Sequence, residues 1–149
     1  MTTPREMVDL VKKMVEGRDQ VMFVELFAED GVLEYPFAAP GFPTVYKGKR
    51  VIREWVGRMG EMRGMFDIHE VSAVAYETTD PEVVVAEITH SGHSHATNRP
   101  YEITAVGIIR VRDGKIVHYK DYMNPIATAE LLGRTDTLLD AISGTGVAR

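Results

Sequence analysis

Residues 65–124 carry four β-rich stretches in succession, at 65–78, 83–97, 100–112 and 115–124. Only short breaks part them: TTDP, ATNRP, and RDGK, whose Asp113-Gly114 pair suits a tight hairpin turn. Helical patterning comes almost entirely before them. Thr3 ahead of Pro4 reads as an N-cap with proline at the first helical position, and Met7, Leu10, Val11 and Met14 recur at helical spacing until Gly17. A second helix is expected from Asp19 to Ala28, with Val21, Phe23, Val24 and Phe27 apolar. A third is expected from Lys49 to about Met62, with Val51, Ile52, Trp55, Val56 and Met59. Between these two, GVLEYPF at 31–37 reads as a strand ending in proline. Helices first and strands later predict an α+β fold, not a doubly wound sheet.

Two segments lack periodicity. AAPGFPTVYKG at 38–48 has two prolines and two glycines and reads as a loop long enough to cover something. The tail from Ile126 offers one modest helix and then small residues expected to fray. The late strands are apolar on both faces, with Ile103, Ala105 and Ile109 on one side and Val106 and Ile108 on the other. Such a sheet needs cover on both sides. Helices can supply one cover and a second copy of the chain the other, so a homodimer through the sheet face is expected.

Composition excludes several function classes. The 149 residues make one domain, 1–149, and contain no cysteine, which rules out disulfides, zinc–thiolate sites and thiol nucleophiles. A net charge of −5 argues against nucleic acid or an anionic membrane as the main partner. No apolar run approaches the roughly 20 residues that cross a bilayer, and the N-terminus lacks a signal peptide's apolar core. A cytoplasmic protein is expected. GxxxxGK[ST], GxGxxG and GxSxG are all absent, so nucleotide binding and serine hydrolysis have no support.

The chemistry-bearing stretch is YKDYMNP, 119–125. Read as a strand, Tyr119, Asp121 and Met123 share a face with Val117, while His118, Lys120, Tyr122 and Asn124 share the other. A carboxyl group is thus aimed where the apolar side chains point. In an apolar pocket it loses hydration, its pKa rises, and it becomes a proton donor near neutral pH. The bland alternative is an acid that pairs with a cation or caps a backbone group. Lys120 beside it points the other way.

FAEDGVLEYPFAAPGFPTVYKGKRVIREW at one end and DGKIVHYKDYMNP at the other resemble the nuclear-transport-factor-two-like superfamily, which includes ketosteroid isomerase and the SnoaL-like cyclases. The resemblance implies a cone: a strongly curved antiparallel β-sheet wrapped around N-terminal helices, with an open pocket. LEYPFAAPGFP, IHEV, YETTDPEVVVAE and KDYMNPIATAELLG resemble, more narrowly, the phenazine-biosynthesis PhzA/PhzB family. That likeness implies a general acid at Asp121, where the family has a longer glutamate, and a pocket histidine at His69. Lys120 to Asn124 also resembles an Arg-Asp-Tyr-Phe-Asp run of limonene epoxide hydrolases, with Asn124 in place of the second acid. Ketosteroid isomerase chemistry itself is not expected. Its base position falls at Tyr35 and its donor positions near Leu10 and Val106, none of which carries the required group.

Tyr35, Phe37, Trp55, Glu87, His90, Tyr119 and Met123 are the candidate substrate-binding residues. Tyr101 could donate a hydrogen bond, and Phe42 could close over a ligand. Each aromatic could equally be core, Trp55 above all. His93 and His95 in THSGHSH share a face, but two imidazoles without a third ligand do not make a metal site, and no metal or other cofactor is expected. Two functions stay open. One is a cofactor-independent isomerase, cyclase or condensing enzyme that uses Asp121 on an apolar carbonyl compound. The other is a binding or dimerisation domain without turnover.

Overall fold

A computed structural model describes residues 1–144. Helix α1 (Pro4–Gly17) opens with a reciprocal cap: the Glu6 amide donates to Thr3 Oγ1 and the Thr3 amide to Glu6 Oε1, both at 3.1 Å. It ends one residue later than Gly17 suggested. Arg18 takes the left-handed conformation (φ 50°) and its N–H closes the last turn.

Helix α2 (Gln20–Glu25) is shorter than expected, because Phe27 already belongs to strand β1 (Phe27–Glu34). Phe23 and Phe27 are both buried, so their four-residue spacing mimics a continuing helix. The Leu26 carbonyl instead accepts from the Ile116 amide, which draws the chain into the sheet. The expected loop also contains a strand, β2 (Val45–Lys47), paired with β1. Helix α3 (Lys49–Gly60) follows, then a single 3₁₀ turn.

Strands β3 (Phe66–Glu77), β4 (Val83–Ser94), β5 (Arg99–Arg112) and β6 (Lys115–Tyr122) form an antiparallel meander where the sequence placed it. The sheet order is β2-β1-β6-β5-β4-β3. One pair departs from antiparallel: β1 runs parallel to β6. The tail forms two helices, α4 (Pro125–Leu131) and α5 (Thr135–Ser143), divided at Gly133, which has φ 66°. The frayed end expected beyond them lies outside the described residues.

The curved, unclosed sheet wraps α1, α2 and α3 on its concave side. Met7, Val8 and Val11 of α1, Phe23 and Val24 of α2, and Ile52 and Val56 of α3 pack there against Leu33, Val84, Ile109 and Ile116. Two bulges decide which side chains reach that face. Val117 is extra in β6, so Ile116 and Tyr119 both point inward and Val117 does not share the Tyr119 face. His69 is extra in β3, between Ile68 and Glu70. Gly92 sits opposite this bulge, where an added Cβ would collide with the Asp67 carbonyl oxygen.

Candidate functional site

The cone encloses a cavity of about 300 Å³, floored by Phe23 and the inward residues of β4, β5 and β6. Strand alternation puts Ile88 and His90, Ile103 and Ala105, and Tyr119, Asp121 and Met123 in it. Arg18, Gln20, Phe66 and Ile68 line it from the α1–α2 corner and β3, and Tyr35, Met59, Asn124 and Thr128 are also in its wall.

Asp121 is its chemical centre. The residue as a whole keeps some exposure, but Oδ1 is sealed from solvent and has no hydrogen-bond partner among the described residues. Burial pushes the carboxyl pKa up from 3.8 to about 7. Buried polar atoms are nearly always paired, so an orphan needs an explanation. The carboxyl sits opposite Gly107 of β5, where an added Cβ would lie 3.0 Å from the Tyr119 ring, so glycine gives that ring its place beside the acid. Burial and the nearby Asp121 charge together raise the phenol pKa values of Tyr119 and Tyr35, which stay neutral.

His90 is the second polar group. Its Nδ1 lies 2.8 Å from the Tyr101 hydroxyl, and its ring stacks on Phe66 at a centroid distance of 6.1 Å. Burial and then the nearby Arg18 charge push the imidazole down to about 4, so it is neutral at physiological pH. Arg18 itself is held by a 2.7 Å hydrogen bond to the Phe66 carbonyl and lies 4.4 Å from that ring's centroid.

Other expected residues go elsewhere. His69 is exposed, because the bulge it creates turns it away from the cavity, and His90 on the neighbouring strand lines it instead. Glu87 lies on the convex face, where its carboxylate bonds to Tyr76. Phe37 is 59% exposed and packs against Tyr122, an outward residue of β6, at 5.2 Å. His93 and His95 pack edge-on with ring centroids 5.4 Å apart, but they are tied to different partners, His93 to Asn98 and His95 to Asp67. Asn124 accepts from the Ile126 and Ala127 amides and caps α4.

Trp55 lines a second cavity of about 230 Å³, under the loop before β2 and against α4 and α5. It stacks on Tyr46 at 4.8 Å and donates from Nε1 to the Tyr35 hydroxyl at 3.1 Å. Sequence reasoning missed Arg18 and this second cavity. Nothing local marks Arg18 beyond its place between Gly17 and the Asp19 cap.

Fold and cavity together define a cone-shaped α+β protein of the small-molecule-pocket type. Residues 7–119 match the model of the SnoaL-like domain, and the chain belongs to that family. It is 34% identical over 119 residues to the uncharacterized protein YesE of Bacillus subtilis, covering 78% of each chain. It is 28% identical over 132 residues to an uncharacterized PhzA/B-like protein of Pseudomonas aeruginosa, covering 89% of this chain and 92% of that one. A Bacillus subtilis structure provisionally described as an isomerase superposes with a TM-score of 0.77 at 28% identity, covering 88% of this chain and 93% of that one. The matched family segment stops two residues short of Asp121.

Proposed function

We propose that this protein is an acid–base catalyst that moves a proton on a small, mostly apolar carbonyl compound, in an isomerisation, cyclisation or condensation. The observation that carries the reading is the orphaned Asp121 Oδ1 in a mostly apolar cavity. A carboxyl group with a pKa of about 7 holds and releases a proton with similar ease at neutral pH. The isomerase description of the Bacillus subtilis structure agrees with this chemistry.

His90 supplies the partner role that the sequence had given to His69. A phenol donates readily to an imidazole nitrogen. With Tyr101 donating to Nδ1, the neutral ring carries its proton on Nε2. An Nε2–H facing the cavity polarises a substrate carbonyl. Asp121 then removes the proton from the adjacent carbon, the electron pair moves onto the carbonyl oxygen, and the acid returns the proton elsewhere on the same framework. These side chains can carry out the sequence without a cofactor.

The test is α-proton exchange of 2-tetralone in deuterium oxide, followed by proton NMR. Wild-type protein should exchange it, and Asp121→Asn should lose roughly 100- to 10,000-fold of the rate. A protein that binds the ketone but exchanges nothing would be a carrier, and the catalytic reading would be abandoned. A second copy is proposed to cover the convex face, where Val74 and Tyr76 are each 49% exposed. Sedimentation of Tyr76→Lys against wild type checks this, with a shift to monomer expected. Action on dissolved metabolites in the cytoplasm belongs to the same proposal, and no described helix is long and apolar enough to cross a membrane.

A further inference from the structure

The two cavities share four lining residues, Tyr35, Met59, Met123 and Thr128. They are neighbouring chambers with a common partition. Two of its four members are methionines, whose unbranched thioether chains change rotamer at little cost. The chambers differ in chemistry. The inner one holds Asp121, His90, Arg18 and Gln20, whereas among the described residues Arg134 is the only charged one lining the outer chamber.

Two features of the outer chamber point to a ligand. Its wall is flat and aromatic, built from the stacked Tyr46–Trp55 pair with Phe42 nearby. Two large apolar members are nonetheless uncovered: Phe42 is 56% exposed and Met59 44%. Volume sets the ligand's size. About 150 Å³ holds a benzene ring, so about 230 Å³ accepts an aryl group with a substituent. Ligand sites run from roughly 300 to 1,000 Å³; the inner chamber alone stands at the lower limit, and the pair falls well inside the range.

We infer that the outer chamber is the second half of one binding site, and that the ligand is an aryl-bearing ketone. Its carbonyl head lies beside Asp121 and His90, and its flat aromatic arm passes between Met59 and Met123 to lie against Trp55. This rests on the inner cavity being the carbonyl site. It adds a specificity element that acid–base chemistry does not require.

Trp55 is the sole tryptophan and lines the outer chamber only, so its fluorescence reports that chamber selectively. The probes are 2-tetralone, a head without an arm, and 6-phenyl-2-tetralone, a head with one. The phenyl compound should bind at least about tenfold more tightly and quench Trp55, while 2-tetralone leaves the emission unchanged. Ala141→Phe places a ring in the outer chamber and should bring the affinity ratio of the two probes to about one. Ala38→Phe, on the loop side, does the same by an independent route if the helix variant misfolds. Equal affinities in wild type, or an undiminished ratio in both folded variants, would overturn the inference and leave the Asp121 chemistry standing. Arm-dependent binding without α-proton exchange of either probe would remove the catalytic reading and leave the two-chamber site. A shift in sedimentation of Ala141→Phe with the ratio intact would assign the chamber to a second copy of the chain, and the aryl-arm inference would be dropped.

Discussion

Two carboxyl groups, one on the sheet and one just outside it, have opposite surroundings. Glu82, just before β4, accepts from Arg110 at 3.0 Å and from Arg112 at 2.9 Å, and these two arginines hold its pKa down to about 2. Asp121 on β6 has no cation and no donor at Oδ1 among the described residues, and burial alone lifts it to about 7. Glu82 is a structural clamp, always charged in the physiological range. The Asp121 carboxyl is costly to the fold and available to a ligand. A perturbed acid marks a site of chemistry when desolvation moves it, and a structural contact when paired cations do.

The largest test of this contrast is catalytic. Asp121→Asn should lose two to four orders of magnitude in α-proton exchange, and Glu82→Gln should lose none. Equal losses in the two variants would break the distinction.

The next test is thermodynamic. A carboxyl whose folded pKa is raised binds its proton more tightly when folded. Its contribution to stability is therefore fully present below its ordinary value of 3.8, and is lost as the pH rises through about 7. Asp121→Asn should gain on wild type across that window, reaching a few kcal/mol above pH 7, at about 1.4 kcal/mol per pKa unit. Urea unfolding of both proteins at pH 4, 5.5, 7 and 8 measures it. A constant difference between them would mean the acid is paired or hydrated.

A smaller effect is expected at Gly107. Alanine there meets the Tyr119 ring at 3.0 Å and must displace it, so a loss of about 1–3 kcal/mol is expected, together with a changed exchange rate. Glu82→Gln should give the least. Its stabilisation is present above the ordinary carboxylate pKa, falls away as the pH drops through about 2, and is screened by salt. A slight drop in Tm, smaller still in 1 M sodium chloride, is the expected result.

By itself the sequence determined the α+β class, the meander and its hairpins, the cap on α1 and the inward aim of Asp121. These follow from local rules: a two-residue alternation, a 3.6-residue stripe, and turn and cap chemistry that acts within a few positions. Tertiary structure decided what those rules cannot see. A one-residue bulge at His69 removed that histidine from the cavity and left His90 as its imidazole, because each extra residue reverses every later side chain in the strand. A similar bulge at Val117 let Ile116 and Tyr119 share one face. Arg18, far from Phe66 in sequence, became a cavity residue only because α1 ends beside β3. The orphaned state of Asp121 is likewise tertiary: alternation aimed the carboxyl inward beside Tyr119 and Met123, but the rest of its surroundings, Gly107 and Tyr35 among them, arrive from other parts of the chain.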